Sequence, residues 1–423
     1  MADLTVKGTE VIAVNVPIRD VPYRNMVREI PHWTLFEIWK VRLACGVVGV
    51  GETMRYYTWG VSTAEDAKRV LDRNAAELMW DDSLGAGLQM ALFDAVGKAC
   101  ETPVHSLLGH RIRDRAYVSW WDIDMPAEDW IAECREALAA GYTSFKTKAR
   151  PWFCLRQQVR DLCATLPDHF ELDLDFNGLL NEAAHAKRLL VEIERHPHVT
   201  MYETPIPQDD VDAGRHIRQA TRVPIAHHFG SPPIMTALHE DVCDGFVVGG
   251  GVGRVQTSGT IAATANKPFF LQIVGTGLTA AMSLHHAAVL SHARWPAVTC
   301  NTLYQHQLLA DPFVVENGSV AIPDAPGLGV ELDEDAVERL RLDEMPEKPY
   351  PHPGLLLAIR FPSGTTVYYT HTRQYWDDFA NGRLPNFVPG VNLEHIPDDG
   401  GTEWADLQRR AQQGAVHTAK PAL

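Results

Sequence analysis

From about residue 116 to residue 303 the chain repeats one unit: a short apolar run, a polar or glycine break, then a helical stretch. The interval of roughly 20–30 residues is the size of one βα unit. The runs are "AYVSWWDID", "SFKTKAR", "FELDLDFNG", "VTMYETPI", "VPIAHHFG", "GFVVGGG", "PFFLQIVG" and "AVTCNTL". Helical patterns lie between them, such as 127–141 and 181–195. Eight strands alternating with helices fit an α/β fold, a (β/α) barrel ending near residue 303. In such barrels the C-terminal strand ends line the active site.

The flanks differ. Residues 8–53 alternate as strands with glycine turns, and 62–98 read as helices. Strands followed by helices suggest a small α+β domain. It joins the barrel through 107–121. Beyond 303 the chain offers a Pro/Gly turn with a charged helix, and a hairpin around Pro362-Ser363-Gly364. The expected organisation is 1–115, 116–340 and 341–423. The last part is expected to pack back on the capping domain or on a partner subunit.

Bulk chemistry narrows the function. The formal charge of −16 over 423 residues, with no Lys/Arg-rich block, argues against nucleic acid and anionic membrane surfaces. No apolar run approaches a membrane span, and the N-terminus does not read as a signal peptide. The seven cysteines form no CxxC pair, which points to a reducing compartment, the cytoplasm.

The strand ends carry the chemistry. Residues i and i+2 of a strand share a face. Lys146 and Lys148 therefore point the same way, as do Asp173, Asp175 and Asn177 on the next strand. Glu203 ends the fourth run, and His227 and His228 end the fifth. Around one barrel mouth, Asp175 and Glu203 are placed to share a hard divalent cation, most simply Mg²⁺. A substrate carboxylate bridging that ion would acquire an enediolate when the adjacent proton is removed. Lys148, near a cation and Lys146, is expected to have a depressed pKa and serve as base. Lys146 is expected to hold the substrate oxygen.

These same residues resemble the enolase superfamily, in its mandelate racemase and muconate lactonizing branch. "SFKTKAR" looks like its Lys-x-Lys strand, "LDLDFNG" its metal strand and "YETPIP" its Glu strand. Residues 90–114 and 324–340 resemble the helix-and-joint and closing segments. The resemblance implies a (β/α)7β-type modified TIM barrel with an N-terminal α+β capping domain. It implies a homo-oligomeric Mg²⁺ enzyme abstracting a proton alpha to a carboxylate. It also implies specificity loops near 24–34 and 55–60, with Arg24, Arg28, Arg55 and Tyr57 as substrate contacts.

The departures are informative. After the fifth strand, "PIAHHFGSPP" has no acid, so His228 or His227 replaces the third metal ligand, or two protein ligands suffice. An imidazole suits Mn²⁺ or Zn²⁺ better than Mg²⁺. Only one of two adjacent strand residues can face the site; the other packs behind. Strands six and seven end "VVGGGVGRV" and "IVGTGLTAA", without the branch's Asp–His dyad. A one-base reaction led by Lys148 survives, with water, Tyr304 or a histidine as acid. Dehydration of a sugar acid or related hydroxy acid is favoured over racemization. Substrate-binding candidates are Asn177, His227, Arg24, Tyr57 and Tyr304. The bland readings are plain: a solvated lysine edge, Asp173 as a structural partner, Glu203 as a cap, and His285 and His286 as helix packing. Likewise "GGGVGR" reads as a tight turn before a phosphate cradle. A diverged binding or scaffold protein is the rival from another class.

Overall fold

The computed structural model describes residues 2–57, 60–349 and 354–419. Its first unit is an antiparallel sheet of β1 (Val6–Asn15), β2 (Leu35–Leu43) and β3 (Val48–Met54), in that order. The helix Ala86–Ala99 lies across it. The alternating glycines of β3 make that contact possible. A Cβ on Gly49 would stand 2.1 Å from the Ala91 carbonyl oxygen, and one on Gly51 2.2 Å from that of Gly87. The same helix carries Asp94, fully buried, which accepts from the N–H groups of Val50 and Leu328 at 2.8 Å each. One carboxylate thus ties cap sheet, cap helix and closing segment together.

After β4 (Arg115–Tyr117) the barrel begins with β5 (Trp120–Asp122). It continues through β6 (Ser144–Lys148), β7 (Glu171–Asp175) and β8 (Val199–Glu203). β9 (Ile225–His228), β10 (Gly245–Val248) and β11 (Phe269–Leu271) follow, all parallel and in chain order. Helices occupy the intervals, including Ala127–Ala139 and Ala183–Ile193 where the sequence placed them. The eighth run is not a full strand. It closes the circle by single parallel bridges, Val118 to Ala297 and Gln272 to Val298. Cys300, with φ of 58°, then turns the chain into the short 3-10 helix Asn301–Leu303. β12 (Ser319–Ala321) returns antiparallel to β4.

The cap is bolted to the barrel by two of its own acids at helix N-termini, where unpaired N–H groups gather. Glu52 on β3 accepts from the N–H groups of Thr276 (2.7 Å) and Thr279 (2.8 Å). Asp82 accepts from those of Gly253 (2.9 Å) and Arg254 (2.8 Å). The "GGGVGR" turn therefore cradles a protein carboxylate, not a ligand phosphate.

The chain from 354 onward is polar yet folded. β13 (Leu357–Arg360) and β14 (Thr365–Tyr369) form the expected hairpin around Ser363-Gly364. β15 (Asn392–His395) and β16 (Val416–Ala419) flank it in the order β15-β13-β14-β16. Two helices, Thr372–Ala380 and Thr402–Ala411, accompany the sheet. The first helix meets the barrel: Trp152 packs against Tyr375 (ring centroids 4.7 Å apart) and Trp376 (5.2 Å). It also meets the segment after β1, where the Thr372 hydroxyl donates to the Arg28 carbonyl. Among the described residues no helix is long and apolar enough to cross a membrane.

His285 and His286 are buried in the helix Gly277–Val289, as expected of packing residues. His285 Nδ1 accepts from the His105 N–H (3.1 Å) and Nε2 donates to the Leu328 carbonyl (3.0 Å). Burial lowers its pKa to about 4 and that of His286 to about 3. A depressed folded-state pKa means the unfolded chain binds the proton first. Stability is then full above about pH 6.5 and falls as pH drops toward 4, by about 3 kcal/mol for a group such as His285. Urea unfolding at pH 7 and 4.5 should show the loss, and ¹⁵N shifts should show His285 neutral, protonated on Nε2, at pH 5.5. A charged His285 ring at that pH would sink the assignment.

Candidate active site

Strand register builds the site. Lys148 on β6 aligns with Asp175 on β7, and Asp175 aligns with Glu203 on β8. Three strand ends thereby put their charges in one row at the C-terminal mouth. Lys146 Nζ lies 2.8 Å from Glu203 Oε2 and 3.4 Å from Asp175 Oδ2. Lys148 Nζ donates to the same Asp175 oxygen. Both carboxylates and Lys146 are at most 1% exposed in their side chains, whereas Lys148 keeps 17%. Only Lys148 opens to a cavity. Burial alone pushes Lys146 down, but Glu203, Asp175 and Asp173 override it and raise its pKa. Burial likewise works against the Asp175 carboxylate, yet Lys148, Lys146 and Arg150 hold it far below the usual range. Asp173 goes the other way: burial, with Glu203 and Asp175 nearby, raises it well above the usual value. It is a structural neighbour of the cluster rather than a lining residue of either chamber.

The mouth is divided into two chambers that share Tyr57, Gln272 and Val274 as a wall. One, of about 170 Å³, holds Lys148, Arg150, Asn177 and Glu29, with Trp33 and Trp121 as its aromatic side. Those two rings stack at 5.3 Å. The other, of about 280 Å³, is lined by His228, Arg254, Gln89 and Glu52 among others. Gln272 is the hinge of the wall. Its Oε1 accepts from Lys146 Nζ at 3.2 Å, and Tyr57 hydrogen-bonds to it. Burial raises the Tyr57 phenol, keeping it a donor.

Several expected residues come together here. Asn177, in a left-handed turn with φ of 46°, donates its N–H to Asp175 Oδ1 (2.9 Å) and accepts from Arg150 Nη2 (2.7 Å). Tyr57 faces both chambers. His228 turns inward, its Nε2 3.1 Å from Glu203 Oε1, and lines the larger chamber. Others lie elsewhere. His227 takes the opposite face of β9, is 2% exposed, and is lowered to about 4 by burial. It packs behind the strand and is no substrate contact. Tyr304 is buried, with its hydroxyl donating to the Trp33 carbonyl at 3.0 Å, so it is not an acid of either chamber. Arg24 pairs outward with Asp129, and Arg55 with Glu37 at 3.2 Å. Arg28 is buried behind the wall, on Asp124. Lys146 lines neither chamber; it is a counter-ion beneath the floor. Thr58 and Trp59 of the second specificity loop fall outside the described residues.

Sequence reading missed Gln272, Glu29 and Arg150. Gln272 showed one signal, an amide interrupting the apolar run "PFFLQIV". Glu29 showed none. It faces the smaller chamber with 19% of its side chain exposed, and burial and Asp124 raise its pKa despite Arg150, Arg28 and Lys148. It shares this chamber with Lys148, and its Oε2 lies 3.5 Å from Arg28 Nη1.

The resemblance implies a divalent ion on the carboxylates at the ends of β7 and β8. The donors do not fit the three-ligand site it implies. Glu203 has buried oxygens without a well-formed hydrogen bond, which suits a ligand. Against this, no three His, Cys, Asp or Glu side chains converge as a metal set among the described residues. His228 approaches Glu203, and the ammonium of Lys146 already lies between Glu203 and Asp175. An ion entering there meets a like charge. Lys146→Met, which removes that charge, should bind Mn²⁺ roughly tenfold tighter or better than the parent. Electron paramagnetic titration reads this directly, and unchanged affinity would show that Lys146 does not compete for the place.

Comparison with known proteins agrees with this geometry. Residues 129–336 match the family described as enolase C-terminal domain-like. A chloromuconate cycloisomerase of Cupriavidus pinatubonensis is 26% identical over 332 residues, 70% of this chain and 88% of its own. A D-galactonate dehydratase of Xanthomonas campestris is 26% identical over 286 residues, 60% of this chain and 72% of its own. The solved muconate cycloisomerase from Pseudomonas fluorescens superimposes with a TM-score of 0.65 at 21% identity, covering 80% of this chain and 99% of its own. An N-succinyl Arg/Lys racemase from Bacillus cereus gives 0.65 at 18%, covering 80% and 98%. With parallel strands presenting Lys-x-Lys, Asp and Glu at one barrel mouth, residues 129–336 are an enolase-superfamily barrel domain, and the relatives it resembles lie in the mandelate racemase and muconate lactonizing branch.

Proposed function

We propose that this protein abstracts the proton alpha to a carboxylate and then expels a beta-hydroxyl, dehydrating a sugar acid or related hydroxy acid. One observation carries the reading. Lys148, aimed by Asp175, opens into a chamber that also holds Glu29, whose pKa burial raises. Lys148 Nζ takes the alpha proton, and the electron pair of the broken C–H bond moves onto the carboxylate as an enolate. That pair returns to form the carbon–carbon double bond as the beta-hydroxyl departs. The hydroxyl leaves as water with the proton of Glu29, whose raised pKa suits an acid. Tyr57 and Asn177 stand beside the reacting atoms as polar contacts. Asp175, Glu203 and Lys146 keep the amine in place from below.

Superfamily members generally use Mg²⁺ to stabilise the enolate. Here the steps are assigned only to side chains of this chain. Two-base racemization has less support. The ends of β10 and β11 offer Gly249, Gly250 and Val274 to the cavities, none of which moves a proton. The paired carboxylates and the absent third acid favour, as a second reading, a protein that binds an acid without turning it over.

Lys148→Met should reduce exchange of the alpha proton with deuterated solvent by on the order of a thousandfold. Proton NMR across a panel of 2-hydroxy and sugar acids measures it. Exchange that persists in the variant would remove Lys148 as base. No exchange with any acid in the parent, together with measurable acid binding, would favour the second reading.

A further inference from the structure

We propose that Arg150 anchors the substrate carboxylate in the smaller chamber, and that Trp376 of the C-terminal extension is the residue that positions it. The proposal deepens the proton-abstraction reading and rests on it for the identity of the reacting group. Arg150 is 2% exposed yet lines the chamber beside Lys148. Of its five N–H donors, one is spent on a short bond, to Asn177 Oδ1 at 2.7 Å. The Nη1 contacts, to the Ala149 and Asp175 carbonyls, are long at 3.5 and 3.4 Å. Nε makes no hydrogen bond among the described residues, and Asp124 Oδ1 is 3.9 Å from it. The other oxygen of Asp124, Oδ2, accepts from Arg28 Nη2 at 2.9 Å and Trp152 Nε1 at 2.7 Å, which holds the carboxylate short of hydrogen-bond distance from Arg150.

The setting points the same way. The basic side chains of Lys148 and Arg150 line this chamber together, a lining that receives a substrate carboxylate. A planar guanidinium is suited to grip that group with two parallel bonds.

The extension supplies the backing. The Arg150 guanidinium carbon lies 5.2 Å over the Trp376 ring, within cation–π range. Tyr375 and Trp376 clamp Trp152, whose indole holds Asp124. The family match stops at residue 336, before this helix begins at Thr372. An element outside the family core thus forms the back of the substrate wall.

Ligand-detected NMR titration of the full chain with glycolate and with neutral glycolamide tests the anchor without any turnover. The parent should prefer glycolate by roughly tenfold. Arg150→Met should abolish the preference, and Arg150→Lys should restore only part of it. Trp376→Leu should weaken glycolate several-fold, and Trp376→Tyr, which returns an aromatic face, should recover it. Cooperative urea unfolding confirms that each variant is folded; should Arg150→Met fail to fold, Arg150→Lys and the Trp376 pair decide. No glycolate preference in the parent, preference surviving Arg150→Met, or parent-like binding by Trp376→Leu overturns the proposal. A glycolate preference without proton exchange would leave the anchor standing and sink the proton-transfer reading alone.

Discussion

Two ammonium groups interleaved with two carboxylates, out of water at the ends of three neighbouring parallel strands, are what the rest of this structure must accommodate. Any one of these charges alone would be prohibitively expensive to bury. Together they neutralise one another, because register sets Lys148, Asp175 and Glu203 side by side. Lys146, one layer down, closes the group against Glu203. Removing one partner would expose the others to an unpaired, low-dielectric setting. The cluster therefore restricts what its neighbours can be, and it leaves Lys148 as the member with a path to a cavity.

Covering that cluster is a task shared by three parts of the chain. The cap closes the mouth with Tyr57 and Trp33, and it is fixed there by Glu52 and Asp82 on barrel helix N-termini. The barrel contributes Gln272, which couples the buried Lys146 to the wall between the chambers. The extension braces Arg28, Trp152 and Arg150 from outside. The result is a site whose electrostatics come largely from protein cations. The position that family resemblance would fill with a third acid holds an imidazole, His228, next to Glu203.

The sequence showed this unevenly, for identifiable reasons. Period and spacing revealed seven strands and their helices, because each βα unit carries its own apolar run. They overstated the eighth run, since "AVTCNTL" has strand-like composition but a left-handed Cys300 that ends it. Parity separated His227 from His228 in principle, and only the fold told which faces inward. Tyr304 was attractive by position after the last run, yet its hydroxyl is consumed by the Trp33 carbonyl. Glu29 and Arg150 were invisible as partners because 121 positions separate them along the chain.

By itself, then, the sequence determined what is local: which runs become strands, which side chains share a strand face, and that lysines and acids end adjacent strands. Those properties follow from steric periodicity and nearest-neighbour register. Tertiary structure alone decided which charges are spent on one another and which remain for a substrate. It turned Lys146 into a buried counter-ion, raised the pKa of Glu29 by surrounding it with protein, and set Trp376 behind Arg150. Desolvation and pairing depend on everything within a few ångströms in space, and neighbours in space need not be neighbours in sequence.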